Sequence, residues 1–253
     1  MNHGIYTVLS GSLANERRLD VTANNLANVN TGGFKRDIPV FAAFLPPAAE
    51  AIPLDNETGP QEYVASAMNR DLWHDFASGS LRETGNPFDV ALEGEAFFVV
   101  QRPGDGRELY TRNGNFRLNS RNELVTMNGD LVLGGQDKGV PLVVNAREVK
   151  IGGRGEIVAD GVPIGRLRLV KFSDRQGLAK VGNSQFVATE TSGMPQAADE
   201  MVVQQGVLEL SNADPLTSMV DLIEISRHYE LQQRMITTLG DLNQMAATEI
   251  AAV

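Results

Sequence analysis

The chain has 253 residues, 42% of them hydrophobic and 21% charged, enough for one large core or two modest ones in an ordinary globular composition. With 22 basic against 32 acidic residues its formal charge is −10, the wrong sign for neutralising phosphates, and no Lys/Arg cluster offsets it, so nucleic acid is excluded as a partner. Cysteine is absent, which removes disulfides, thiolate metal sites and a thiol nucleophile.

The opening segment, MNHGIYTVLSGSLANERR, has neither the basic-then-apolar plan nor the cleavage site of a secretory signal. No apolar run is long enough to span a bilayer, so membrane insertion is not expected. From Asn2 to about Ala27, Ile5, Val8, Leu9, Leu13, Leu19, Ala23, Leu26 and Ala27 recur mostly three or four apart, with Ile5, Ser12, Leu19 and Leu26 on a seven-residue beat. That spacing predicts one amphipathic helix with a narrow stripe. The helix runs into DVTANNLANVNTGGFKRD, where Asn24, Asn25, Asn28 and Asn30 precede Thr31-Gly32-Gly33 and a lone Phe34.

Residues 37–80, with Pro39, Pro46-Pro47, Pro53 and Pro60, predict an irregular, extended connector or arm. Asn56-Glu57-Thr58 fits the glycosylation triplet and is read as a coincidence. Residues 81–207 change texture. LYTRNGNFRLNSRNELVTMNGDLVLGG alternates apolar and polar residues and carries Asn113-Gly114 and Asn128-Gly129, the strongest two-residue hairpin signals, with NSRN as a third turn. A β-meander follows from that pattern. FDVALEGEAFFVVQ, GVPLVV, EVKI, GEIVADGVPIGRLRLVKF and SQFVATE read as further strands.

The C-terminal part, 208–253, opens its helix with Asp214 as N-cap and Pro215 at the first helical position. Leu222, Ile225, Tyr229, Ile236, Leu239, Ala246 and Ile250 mark a coiled-coil-like seam interrupted by Gly240. At 1.5 Å per residue the two terminal helices would be roughly 40 and 50 Å long. Met1–Arg36 carries Arg17, Arg18, Lys35 and Arg36 against Glu16 and Asp20, whereas Asp214–Ile250 carries six acidic residues against Arg227 and Arg234. Opposite signs favour pairing of the ends, although each exposed ion pair contributes only about 0–1 kcal/mol. The expected fold is therefore α+β: long N- and C-terminal helices packing as a coiled-coil-like pair, with an inserted, mainly antiparallel β domain. The helical part would comprise 1–36 and 208–253, the connector 37–80 and the β domain 81–207.

Catalytic patterns are weak. His3, His74 and His228 lie apart and read as surface or helix-face residues without a metal set. GNSQF at Gly182 is a near miss for a nucleophile elbow, and GGRGE at Gly152 reads as a turn. The best enzymatic candidate is Asp89, Glu93 and Glu95, which could share a strand face and do glycosidic acid–base chemistry on a polysaccharide. Gly94 would break that strand, and a solvated face opposite Phe88, Val90, Leu92 and Phe98 is the plainer reading. A cytosolic coiled-coil adaptor is a further alternative. Two narrow stripes on long terminal helices still need neighbours, which points to assembly.

LANERRLDVTANNLANVNTGGFKRD resembles the N-terminal signature of the flagellar rod, hook and hook-associated axial proteins, close to A-N-N-[LI]-A-N-x-N-T-x-G-[FY]-[KR], and the match from Ala23 to Lys35 is unbroken. DVALEGEAFFVVQ and the meander look like the family's central motifs, with Asn119 where an aspartate is common and Asn122 where a glycine is common. LELSNADPLTSMVDLIEISRHYELQQRMI is similar to the family's C-terminal helix, including Arg227, Tyr229 and Glu230. The short length and single β domain set aside the larger hook and filament-junction members. Ile5-Tyr6 in the opening segment favours a proximal rod member, and IPVFAAFLPP stands where the distal rod member usually carries a Phe-Asp-Leu-Tyr pattern.

The resemblance implies a structural, non-catalytic subunit of the basal-body rod without cofactor or metal, reaching the periplasm by flagellar type III export. Its implied partners are copies of itself, other rod proteins above and below, the export apparatus and rod-assembly factors. The implied assembly interface takes in Ile5, Leu9, Leu13, Leu19, Leu26, Leu222, Ile225, Tyr229, Ile236 and Leu239. Two Asn or Gly residues suffice to stop a helix. The surplus amides of Asn24, Asn25, Asn28 and Asn30 are therefore expected to bond between subunits, with Phe34 as an apolar anchor for the arm.

Overall fold

A computed structural model describes residues 3–44, 66–135, 140–146, 148–198 and 200–250. The side chains of His3, Ile5, Ala246 and Ile250, and the Asn56–Thr58 triplet, lie outside the described residues. The chain divides into two compact units, one of Met1–Leu26, Asp37–Trp73 and Pro215–Val253, the other of Ala27–Arg36 and His74–Asp214.

In the first unit α1 spans His3–Ala27 and α2 spans Pro215–Ile250, about 38 and 54 Å of helix at 1.5 Å per residue. Pro215 is the first helical residue, where its missing N–H removes no helical bond. Gly240 does not interrupt α2, which runs through it at a propensity cost of about 1 kcal/mol relative to alanine. The connector is more regular than its prolines imply. β1 (Asp37–Phe44) and β2 (Ser66–His74) pair as a two-stranded sheet.

The second unit is all β. In chain order it holds β3 (Leu81–Glu83), β4 (Val90–Glu93), β5 (Phe97–Gln101), β6 (Glu108–Thr111), β7 (Phe116–Leu118), β8 (Leu124–Thr126), β9 (Leu131–Gly134) and β10 (Val140–Pro141). Then come β11 (Val149–Ile151), β12 (Glu156–Ala159), β13 (Val162–Arg166), β14 (Leu169–Lys171), β15 (Ala179–Gly182), β16 (Gln185–Val187), β17 (Gln196–Ala197), β18 (Val202–Gln205) and β19 (Val207–Glu209). The main antiparallel sheet runs β15-β16-β6-β5-β9-β8-β7. Smaller pairings join β11-β12-β13, β18-β4 and β19-β3.

β5 explains the apolar run Phe97-Phe98-Val99-Val100, because a strand sends successive side chains to opposite faces. Phe98 and Val100 enter one core with Val90, Leu109 and Phe116. Phe97 and Val99 enter a second with Tyr110, Phe172 and Phe186. Covering both faces makes β5 the spine of the unit.

Two of the three expected turns are formed. Asn119 accepts the backbone N–H groups of Arg121 (2.8 Å) and Glu123 (2.9 Å), the work of an aspartate at that place, and its amide donates to Glu123 Oε2. Asn122 takes φ 60, the left-handed angle for which glycine is otherwise used. Asn128-Gly129 links β8 to β9, which pair in antiparallel register. Asn113-Gly114 is not a hairpin, because β6 pairs with β5 and β16 rather than with β7. Gly114 is needed for another reason: its carbonyl accepts the Val90 N–H at 3.0 Å, and a Cβ there would overlap the Val90 carbonyl oxygen.

Candidate assembly site

On α2 the covered positions are Ser218, Leu222, Ile225, Gln232, Ile236 and Leu239, with Tyr229 at 38% exposure between them. Their alternating steps of four and three continue the predicted seam one turn earlier, and they add a polar member at Gln232. On α1 the corresponding row is Val8, Ser12, Asn15, Leu19, Thr22 and Leu26. The rows meet where Asn15 Nδ2 donates to Gln232 Oε1 at 3.0 Å, beside Gly11, whose missing side chain leaves room for the Gln232 amide. Leu19, Leu26, Leu222, Ile225, Ile236 and Leu239 thus lie on the covered rows within one subunit. Leu9 and Leu13 do not, being 45% and 59% exposed.

α2 has a second apolar side. Met219, Val220, Ile223, Leu231, Met235 and Leu242 are exposed. At 100° per residue Val220, Ile223 and Leu231 lie on the side of the helix away from the seam, while Met219, Met235 and Leu242 flank it. A helix apolar on two sides buries both only when a further element covers the second.

The asparagine-rich signature is organised inside the subunit. Asn25 is buried, and its amide brackets Asp37: Nδ2 donates to the Asp37 carbonyl at 2.8 Å and Oδ1 accepts the Asp37 N–H at 2.9 Å. Asn28 closes the turn, its carbonyl accepting the Thr31 N–H at 3.1 Å and its side-chain oxygen the Thr31 hydroxyl at 3.2 Å. Asn24 and Asn30 are exposed. Gly33 has φ 62, and a Cβ there would collide with the backbone of Arg112 and Asn113. Phe34 is 3% exposed with Lys180 Nζ 3.8 Å from its ring centroid, so the arm anchor is a buried side chain of its own subunit. Asn25 and Phe34 thus make within the subunit the contacts expected of them between subunits.

Sequence reasoning missed what the rest of the signature does. Lys35 is 1% exposed and its Nζ donates to Glu209 Oε1 and to the Ala77 carbonyl, both at 2.7 Å. Glu209 Oε2 also receives Arg112 through Nε at 3.0 Å and Nη2 at 2.9 Å. Arg112 Nη1 donates to the carbonyls of Gly94 (2.7 Å) and Ala96 (2.6 Å), and Nη2 to that of Leu92 (3.1 Å). Two cations share one carboxylate, and backbone carbonyls take the remaining donors. Burial pushes Lys35 below the usual lysine range against the opposing pull of Glu209, and pushes Arg112 down likewise. Next to them Asn212 replaces a rung of the ladder between Arg36 and Asp75: the Asp75 N–H donates directly to the Arg36 carbonyl (2.9 Å). The Arg36 N–H goes to Asn212 Oδ1 (2.8 Å), and Asn212 Nδ2 goes to the Asp75 carbonyl (2.7 Å). A charged residue at the end of Val207-Leu208-Glu209, in a strand otherwise apolar, was the one available signal.

The carboxylates proposed for glycosidic chemistry diverge. Asp89 is buried and takes the Thr84 hydroxyl at 2.7 Å and the Asn86 amide at 3.1 Å. Glu93 receives Gln204 on β18, while Glu95 pairs with Arg175 at 2.8 Å beyond the break at Gly94, whose φ is 96. Ser184 lies in the two-residue turn between β15 and β16, its carbonyl accepting the Thr111 hydroxyl. His74 is not a surface residue: it is buried edge-on to Phe76 and Phe186. Among the described residues there is no cluster of metal-ligating side chains and no helix long and apolar enough to cross a membrane.

Comparison with known proteins covers both ends and the centre. Residues 5–35 match the family described as flagella basal body rod protein, 91–159 the flagellar hook protein FlgE/F/G D1 domain, and 204–249 the flagellar basal body rod FlgEFG protein C-terminal. Flagellar basal-body rod protein FlgF of Caulobacter vibrioides is 34% identical over the whole of both chains, and that of Salmonella typhimurium 32%, also over the whole of both. FlgG of Agrobacterium fabrum is 30% identical over 95% of this chain and 97% of its own.

Proposed function

The chain belongs to the flagellar basal-body rod protein family, and from that premise we propose that it fills the place of FlgF and polymerises with copies of itself and with other rod proteins through its terminal helices. It is a non-catalytic structural subunit of the basal-body rod. The observation that carries the polymerisation reading is the two-sided α2. Its seam is covered, with Gln232 bonded to Asn15 of α1, and its far side, Ile223 and Leu231 included, stays exposed. Leu9 and Leu13 on α1 supply apolar surface of the same kind. The excess of basic residues at the N-terminal end and of acidic ones on α2 favours α1 of one copy against the outer row of α2 in the next. Head-to-tail contacts of that type do not close, so they build a helical tube. Export by the type III apparatus into the periplasm, and rod neighbours above and below, belong to the same reading.

Ile223→Asp combined with Leu231→Asp tests it. The seam is untouched, so helix content by circular dichroism stays at the parental level while incorporation into purified basal bodies is lost. Normal incorporation of the variant would remove the outer row from the interface. The FlgF assignment is tested by complementation: the gene should restore swimming to a strain lacking FlgF and not to one lacking FlgG. The reverse pattern would exchange the two.

A further inference from the structure

Gly32–Arg36 belong to no helix or strand, yet each is gripped by stretches far away in sequence. Gly32 lies against the Asn113 side chain, and the Gly33 N–H donates to the Glu209 carbonyl at 2.8 Å. Phe34 lies under Lys180, whose Nζ also donates to the Lys35 carbonyl at 2.8 Å. Lys35 joins Glu209 across 174 residues, and the Arg36 N–H is held by Asn212. Glu209 Oε1 also accepts the Gly79 N–H at 3.1 Å, so the carboxylate ties three chain segments at once.

We infer that Gly32–Arg36 is an intramolecular clasp: its insertion against Glu209, Arg112 and Lys180 completes the β-rich unit, and only a subunit with the clasp closed is competent to join the assembly. The inference rests on the assembly reading above. Its physical basis is order of events. A contact spanning most of the chain forms only after the intervening strands are in place, because the long loop must be closed first. The clasp also lies at the chain's own crossings between units, Leu26 to Ala27 and Arg36 to Asp37, while the strand carrying Glu209 leads into Pro215 and α2. β1 leaves directly from Arg36, and α1 ends at Ala27, a short turn before Gly32. The stretch from Glu209 to Pro215 passes through Asn212, which holds the Arg36 N–H, so an open clasp loosens the chain on each of these paths.

The test uses the full chain and two variants. Lys35→Glu sets a carboxylate against Glu209 and opens the clasp. Amide exchange at Gly33 and Gly79 should accelerate about a hundredfold, as for loss of a buried ion pair. Exchange at Val99 in β5 should stay unchanged, and incorporation into basal bodies should be lost. Lys35→Glu with Glu209→Gln moves the negative charge to the other side of the contact and should restore both protection and incorporation at least in part. The clasp is overturned if Gly33 and Gly79 keep their protection in Lys35→Glu, or if Val99 accelerates equally. It is overturned too if the opened variant is incorporated at the parental rate. Absence of the parental chain from basal bodies would instead overturn the rod reading and leave the exchange result standing.

Discussion

Glu209→Gln preserves the size and shape of the side chain and removes the carboxylate that Lys35 and Arg112 share at 2.7 and 2.9 Å. What remains is two buried cations facing a neutral amide. Breaking a buried pair by removing one partner costs about 3–5 kcal/mol, because the other charge is left uncompensated. Lys35→Met removes one of the two cations and leaves the Arg112–Glu209 pair intact, so its lost bonds are partly offset by relieved desolvation and the cost stays below about 2 kcal/mol. Combined, the two changes should cost less than their sum by about 1–3 kcal/mol, the coupling of residues in one network. Guanidinium unfolding measures this, followed by near-ultraviolet circular dichroism of the Tyr110–Phe172–Phe186 cluster. The single tryptophan, Trp73, belongs to the other unit. With an m-value of about 4 kcal/mol/M, Glu209→Gln should lower the midpoint by about 1 M. A shift smaller for Glu209→Gln than for Lys35→Met would refute the reasoning, since it would mean that the excess positive charge carries no cost.

Gly33→Ala should lower stability by more than about 3 kcal/mol, combining a left-handed φ with a collision against backbone that no rotamer relieves; a thermal melt reads it. Asn25→Ala strands both backbone groups of Asp37 and should cost about 2–4 kcal/mol, while Asn30→Ala at an exposed site should stay within about 0.5 kcal/mol by the same melt. Asp75 is pulled two ways: desolvation works to raise its pKa, but the Ala77 N–H bond and the Arg36 guanidinium together hold it below the ordinary 3.8. Its folded pKa lies under its unfolded one, so its stabilisation is complete above about pH 4 and lost as pH falls through the folded value. Asp75→Asn should therefore narrow the stability gap between pH 6 and pH 3, and an unchanged gap would count against the pair.

The helices were legible because their signal is local and repeated. Leu222, Ile225, Ile236 and Leu239 carry it in type and spacing, and no distant contact is needed to read it. Asn119 and Asn128-Gly129 were legible for the same reason, as turn chemistry completes itself within a few residues. Asn113-Gly114 misled because β16, encoded far later in the chain, takes the place beside β6 that a meander would give to β7. No local window contains that fact. The signature was legible only in part: its amides and aromatic stood out as binding groups, but the intramolecular partners of Asn25 and Lys35, Asp37 and Glu209, were not readable, the latter being 174 residues away. Leu9 and Leu13 show the limit of periodicity. A row of apolar residues says that something covers it, and the sequence does not say whether the cover is α2 of the same chain.

The hydrogen bond between Asn15 and Gln232 has a mechanical meaning for a shaft under torque. An apolar seam repeats every seven residues, and a helix slid by one repeat meets nearly the same surface again. The amide pair does not repeat: shifted by seven on α1, Gln232 faces Val8, where it loses its partner at a cost of about 1–3 kcal/mol, or the shorter hydroxyl of Thr22 in place of the Asn15 amide. The amide layer thus acts as a detent, fixing the axial register of the two helices so that load is borne without creep.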